Sequence, residues 1–156
     1  MNIISSAFQE GKTIPTKFAY HGVDGGKNIS LPFSWSEIPP AVKSFAISIV
    51  DPHPVAKNWV HWFIINIPAN VTTLVEGASQ KFIPTGAKEL LNTYGTLGYG
   101  GPEPPKGSGA HPYVATLYAL NVDKIDLPEK TTLSEFNNAL ERKTITTAKV
   151  TGMYER

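Results

Sequence analysis

Three segments of the chain have the clearest strand patterns. Residues 44–50 alternate, with Phe45, Ile47 and Ile49 on one face, and Asp51 continues that parity where Pro52 stops the ladder. Residues 59–66 and 113–120 are apolar on both faces, which is typical of central strands covered by two packed layers. In the second segment, strict alternation would place His61 on the face of Trp59, Phe63 and Ile65.

Weaker patterns predict the remaining elements. Short strands are expected at 6–8, 18–20 and 33–35, a turn at 24–26, a short helix near 86–91 and a closing strand at 146–154. A capping box at Thr132 and Glu135, followed by a helical apolar stripe, predicts a helix over about 133–142. Many strands and few, late helices predict a mostly β fold, a β-sandwich with one or two peripheral helices.

Composition removes several classes of function. The 156 residues fit one domain, covering 1–156, and the net charge of +1 gives no electrostatic footprint for nucleic acid. The chain has no cysteine, which excludes thiol nucleophiles and cysteine metal sites. Apolar runs are too short for membrane insertion, and the first residues lack a basic, then apolar, export signal, so a cytoplasmic location is expected.

The stretch 97–113 is dense in glycine and proline, which let a ligand approach the backbone and hold a loop in one shape. It predicts either an anion-binding concavity or a structural crossover loop. Prolines after Gly98 to Gly101 exclude the helix of a dinucleotide loop, and the order Lys106-Gly107-Ser108 does not fit a phosphate loop. At least one cis peptide is expected, before Pro54, Pro104 or Pro105.

Four side chains are expected to converge at one end of a sheet, namely Asp51, His61, His111 and Tyr113. They could hold a phosphate or carboxylate, with Asp51 orienting an imidazole and backbone N–H groups near Gly100 and Gly101 adding donors. They could also form a two-histidine, one-carboxylate metal site or an acid–base pair. No Gly-x-Ser-x-Gly elbow exists, and Ser108 lacks the strand–helix context of a nucleophile. His21 and His53 lie in turn-like contexts and are expected to be exposed.

Several motifs occur in a familiar order: Asp51-Pro52, Trp59-Val60-His61-Trp62, Gly98 to Pro105, His111-Pro112-Tyr113 and Gly152 to Arg156. With them, nearly the whole chain resembles the phosphatidylethanolamine-binding family, also called the Raf kinase inhibitor protein family, in its bacterial and archaeal branch. The resemblance implies a β-sandwich with a small anion pocket. Its implied residues are Asp51, His61, Pro104 or Pro105, His111 and Tyr113, with Trp59, Gly100 and Gly101 lining the pocket.

The resemblance implies a non-catalytic binding protein without a cofactor. Its implied ligand is a small anion, either a phosphate ester or a phospholipid headgroup, and a protease or kinase is a candidate partner. One alternative is an inhibitor that acts through a surface loop, and another is a small-ester hydrolase. The chain departs from the family pattern at the short Asp51-Pro52-His53-Pro54 segment, at Glu103 and at Tyr94, which affects ligand identity more than fold.

Overall fold

Strands dominate the computed structural model, which describes residues 1–156, and the mostly β prediction is confirmed. The strands are β1 (Asn2–Ile4), β2 (Phe33–Ser36), β3 (Ser44–Asp51), β4 (Trp59–Pro68), β5 (Thr73–Leu74), β6 (Lys88–Glu89), β7 (His111–Leu120) and β8 (Thr144–Tyr154). One 3₁₀ turn covers Thr16–Phe18, and one helix, α1, covers Leu133–Leu140. No helix is long and apolar enough to cross a bilayer.

Two antiparallel sheets form the sandwich. The larger has the order β6-β4-β3-β7-β8, and the smaller has the order β1-β2-β5. The main apolar core lies between them and includes Phe45, Ile47 and Ile49, the alternating face predicted for β3. The other face of the large sheet is covered by α1, where the Phe136 ring stacks on Phe63 with centroids 4.3 Å apart. The chain therefore has the predicted sandwich with a peripheral helix.

A β-bulge in β4 determines where His61 lies. Asp51 pairs with Trp59 and Val50 with Val60, but Ile49 pairs with Trp62, so His61 is the extra residue. The extra residue reverses the alternation of faces for the residues that follow it, as far as a second register shift between Phe45 and Ile47. Phe63 therefore packs on the helix side, whereas Trp62 enters the core between the sheets. The prediction that His61 shares a face with Phe63 and Ile65 is wrong for this reason.

The weakly patterned elements were predicted less well. The strand predicted at 33–35 lies within β2 and that at 146–154 within β8. The strand predicted at 6–8 does not form, because the Ser5 hydroxyl accepts the Ala7 N–H and bends the chain. The strand in this part of the chain is β1, which ends before Ser5. At 18–20, Pro15 begins the 3₁₀ turn instead.

Two helix predictions also need correction. Residues 86–91 are not helical, because Lys88 and Glu89 pair with Ile65 and Ile64 and so extend the sheet beyond β4. The helix α1 begins at its predicted capping box but ends at Leu140 rather than 142. The Thr144 hydroxyl donates to the Leu140 carbonyl there and starts the turn into β8.

All peptide bonds are trans, so the predicted cis bond is wrong. The His53 carbonyl accepts the N–H groups of Ala56 and Lys57, which puts Pro54 at the second position of a turn, where a trans proline fits. Pro104 and Pro105 precede the central residues of the turn at 106–107, in which the Pro105 carbonyl accepts the Ser108 N–H, and Arg156 Nε donates to the Pro104 carbonyl.

Candidate functional site

A cavity of about 190 Å³ opens where β3 ends and where β4 and β7 begin. Its lining comprises Asp51, Val55, Ala56, Trp59, His61, Tyr94, Glu103, Pro104, Pro105, His111 and Tyr113. Seven of the nine residues predicted for the site are in this lining, and Gly100 and Gly101 are not. The antiparallel pairing of β3 with both neighbours brings these chain-distant residues together.

Asp51 and His111 form a buried pair at the centre of this lining. His111 Nδ1–H donates to Asp51 Oδ2 at 2.6 Å, and the His53 backbone N–H donates to Oδ1 at 2.8 Å. His111 is fully buried and Asp51 is 2% exposed. The carboxylate therefore fixes the Nδ1–H form of the imidazole, in the role expected for Asp51.

The other nitrogen of His111 contacts a residue that the sequence argument set aside. Ser108 Oγ lies 2.8 Å from His111 Nε2 and 2.7 Å from the Pro105 carbonyl oxygen. Asp51, His111 and Ser108 thus form a continuous hydrogen-bonded chain. The only signal in the sequence is that Ser108 precedes His111 by three residues within a glycine-rich turn.

The prediction that His53 is exposed is wrong. Its ring is half-buried and stacks on His111, with centroids 3.8 Å apart and planes at 17°. The turn that follows Asp51 folds back over the strand end, which brings His53 over the buried pair. His21 is exposed, as predicted.

His61 is neutral and offers a lone pair to the cavity. It is 3% exposed, and its Nδ1–H donates to the Gly100 carbonyl at 2.7 Å. Burial lowers the pKa of His61 from 6.5 to about 4, against the opposing effects of the Gly100 carbonyl and of Asp51. Its Nε2 has no hydrogen-bond partner in the protein and lies in a residue that lines the cavity.

Gly100 and Gly101 support the site from behind rather than facing a ligand. The Gly100 N–H donates to the His61 carbonyl, and the Gly101 N–H donates to Asn28 Oδ1 at 2.7 Å. The expectation that these two N–H groups bind an anion is therefore wrong. Gly101 is needed for close packing, because a Cβ there would lie 2.1 Å from the Phe18 carbonyl oxygen. The unpartnered backbone N–H in this part of the lining is that of Glu103.

Four lining residues were absent from the predicted site: Val55, Ala56, Tyr94 and Glu103. Glu103 and Tyr94 were noted only as departures from the family pattern. The Tyr94 hydroxyl donates to the Gly101 carbonyl, and burial together with Glu103 raises the pKa of Tyr94. Burial, with Asp51 second, raises the pKa of Tyr113, whose hydroxyl therefore keeps its proton and has no partner in the protein.

The charges of the lining limit its chemistry. Two carboxylates, Asp51 and Glu103, are present, and no lysine or arginine lines the cavity. No group of three or more histidine, cysteine, aspartate or glutamate side chains is placed to hold a metal ion. The cavity can therefore donate hydrogen bonds through the Tyr113 hydroxyl and the Glu103 N–H, and through His61 once that imidazole is protonated.

Comparisons with known proteins agree with this architecture. The family model described as "Phosphatidylethanolamine-binding protein" matches residues 4–155. The UPF0098 protein of Methanothermobacter thermautotrophicus is 38% identical over all of this chain and 99% of its own length. The UPF0098 protein YbcL of Escherichia coli is 35% identical over 98% of this chain and 86% of its own length.

Solved structures show the same fold. The crystal structure of E. coli YbcL, described as a member of the mammalian PEBP family, superposes with a TM-score of 0.93 at 34% identity, covering 99% of this chain and 98% of that one. Carboxypeptidase Y inhibitor, complexed with its cognate proteinase, has a TM-score of 0.53 at 20% identity over 93% of this chain and 76% of that one. The chain belongs to the phosphatidylethanolamine-binding protein family.

Proposed function

We propose that the chain is a non-catalytic binding protein whose cavity takes the phosphate group of a small phosphate ester. The observation that carries the proposal is a pair of almost fully buried side chains with unpartnered polar atoms in one cavity, His61 Nε2 and the Tyr113 hydroxyl. Both atoms lack a partner in the protein, so a ligand or water in the cavity must satisfy them, and the buried Trp59 Nε1–H of the same lining also has no partner. The unpartnered N–H of Glu103 adds a further donor to the lining.

Phosphate binding at this site requires a proton on His61. In the free protein Nδ1–H donates to Gly100, so a neutral His61 presents only a lone pair, which repels an ionised phosphate oxygen. Raising the pKa of His61 from about 4 to above 6.5 requires about 3 kcal/mol. Two unit charges about 4 Å apart interact by about 4 kcal/mol at the effective dielectric of a protein site. A bound phosphate is therefore strong enough to hold the proton there.

The two carboxylates favour a singly charged ligand over a doubly charged one. Phosphate monoesters have a second pKa near 6 and are largely monoanions below it. Because binding takes up a proton, affinity should fall about tenfold for each pH unit between the pKa of free His61, about 4, and its higher pKa in the complex. A phospholipid headgroup and a free phosphate ester share this chemistry, and the length of the apolar tail distinguishes them experimentally.

Thermal unfolding with methyl phosphate tests the proposal. A ligand that binds only the folded state stabilises it by about 2.7 kcal/mol at a hundredfold excess over its Kd, or a shift of roughly 5–10 °C. We expect this shift at pH 6, a smaller one at pH 8, and less with sulfate or chloride at equal ionic strength.

Two matched variants locate the binding. Tyr113→Phe removes an unpartnered hydroxyl in the cavity and should lose most of the shift, with the stability of the free protein unchanged. Tyr118→Phe removes a hydroxyl near Ser48, outside the cavity lining, and should keep the shift. An equal shift in both variants would mean that phosphate binds elsewhere, and the cavity assignment would be withdrawn.

Inhibition of a protease or kinase through a surface loop is the second candidate function. It is favoured by Val55, which is 52% exposed on the short loop after Asp51 at the edge of the cavity. The likeness to carboxypeptidase Y inhibitor shows the fold alone at 20% identity. A panel of carboxypeptidases and kinases assayed with Val55→Asp beside the unchanged protein tests this candidate, and the addition of methyl phosphate shows whether inhibition depends on the cavity.

A further inference from the structure

The hydrogen-bonded chain Asp51–His111–Ser108 has the geometry of an activated serine. The distance from Ser108 Oγ to His111 Nε2 is 2.8 Å, and that from His111 Nδ1 to Asp51 Oδ2 is 2.6 Å. Both distances fall in the range over which a base activates a nucleophile and a third group orients the base. We propose that Ser108 is a nucleophilic serine that accepts an acyl group from small activated esters.

Each partner in this chain has a defined role. Both oxygens of Asp51 accept hydrogen bonds, so the carboxylate is fixed and holds the proton of His111 on Nδ1. When that proton is held on Nδ1, Nε2 is an acceptor that faces the Ser108 hydroxyl. The hydroxyl proton has two acceptors within reach, Nε2 and the Pro105 carbonyl at 2.7 Å, and activation uses the first.

The loop also provides donors for a developing negative charge. The backbone N–H groups of Gly109 and Ala110 have no hydrogen-bond partner in the protein, and Gly109 directly follows Ser108. The N–H of the residue after a nucleophilic serine is a recurring oxyanion donor. Ser108 is only partly buried, so a substrate can reach it from solvent, and it is not part of the cavity lining.

The reaction balances without a cofactor. Ser108 Oγ attacks the ester carbonyl carbon and forms a new Oγ–C bond while its proton passes to His111 Nε2. The carbonyl oxygen carries the negative charge near the Gly109 N–H. The bond from carbon to the leaving oxygen then breaks, and His111 returns the proton to the departing alcohol. Asp51 and His111 also line the cavity, but Ser108 does not. The proposed step ends at the acyl-serine, without turnover, and labelling of Ser108 is measured separately from the methyl phosphate shift, so failure of one result is distinguishable from failure of the other.

Covalent labelling of the full chain with an alkyl fluorophosphonate tests the proposal. Oγ forms a bond to phosphorus, fluoride leaves and the serine proton is released, so intact mass should show one added phosphonyl group. Peptide mapping should place it on Ser108. Ser108→Ala should abolish labelling, whereas Ser36→Ala, which removes an exposed serine in β2, should label normally.

A variant of Asp51, which positions His111, shows whether Ser108 reacts because His111 activates it or only because it is exposed to solvent. Asp51→Asn should lower the labelling rate by about 10²-fold or more, because the amide stabilises the wrong imidazole tautomer. Folding of each variant is checked by near-UV circular dichroism. Absence of an adduct after prolonged incubation, an adduct on another serine, or an unchanged rate in Asp51→Asn would each overturn the proposal. The mapped position in the unchanged protein remains decisive even where a variant fails to fold.

Discussion

Replacing Asp51 by alanine and by asparagine should separate the loss of a buried partner from a change of tautomer. Alanine leaves two buried donors without acceptors, His111 Nδ1–H and the His53 backbone N–H. Leaving a buried donor without an acceptor costs about 1–3 kcal/mol, so the two donors together cost about 2–6 kcal/mol. At about 2–4 °C per kcal/mol for a domain of this size, Asp51→Ala should lower Tm by roughly 4–24 °C.

Asparagine can satisfy the same site. Its Oδ1 still accepts the His53 N–H, and its amide N–H can donate to His111 Nδ1, which moves the imidazole proton to Nε2. Ser108 Oγ then accepts that proton in a hydrogen bond and donates its own to Pro105, since both partners are in place. We therefore expect Asp51→Asn to cost only about 1 kcal/mol, the net value of an ordinary hydrogen bond.

Urea unfolding at pH 7 measures both free energies on the same scale. The expected result is a much larger loss for alanine than for asparagine, with equal m values that show an unchanged denatured state. Equal losses in the two variants, or an alanine cost below about 1 kcal/mol, would refute the account of Asp51 as the shared acceptor of two buried N–H groups.

Three further predictions concern burial and packing. The pKa of His61 is lower in the folded state than its usual 6.5, so stability is lost as pH falls from 6.5 to about 4. Between pH 7.5 and pH 4, the free energy of unfolding measured in urea should fall by about 3 kcal/mol more in the unchanged protein than in His61→Gln. Phe136→Ala should cost about 3–5 kcal/mol because the ring is fully buried against Phe63, whereas Phe82→Ala, 67% exposed, should cost little in the same assay. Gly101→Ala should cause severe loss of folded protein, measured as soluble yield and Tm, because its Cβ would lie 2.1 Å from a backbone oxygen; a fully stable variant would contradict this close packing.

The fold was predictable where side-chain pattern and local chemistry agreed. The parity of Phe45, Ile47 and Ile49 identified the core face of β3 and placed Asp51 at its end. The capping box at Thr132 determined the start of α1, since both of its hydrogen bonds form within four residues. Short segments without such local determinants, at 6–8, 18–20 and 86–91, were decided by turns or by distant strand edges that no local pattern encodes.

The sequence predicted which residues line the candidate site better than it predicted the contacts between their side chains. Strand ends and parity brought Asp51, His111 and Tyr113 together, and the family resemblance added Trp59 and the prolines. The bulge at His61 was not predictable, because the strand is apolar on both faces and its hydrophobic pattern does not reveal one extra residue. The hydrogen bonds of Ser108 and the stacking of His53 depend on loop conformations that glycine and proline permit without specifying.

The protonation state of His61 during ligand binding tests the proposed function most directly. Nitrogen NMR of the histidine side chains at pH 6.5, without and with saturating methyl phosphate, distinguishes a lone pair from an N–H at Nε2. In the free protein His61 should be neutral with its proton on Nδ1, because burial lowers its pKa to about 4. We predict that saturation converts it to the doubly protonated imidazolium. Saturable binding with His61 still neutral, or no change at any methyl phosphate concentration, would contradict the proposal that this imidazole holds the phosphate.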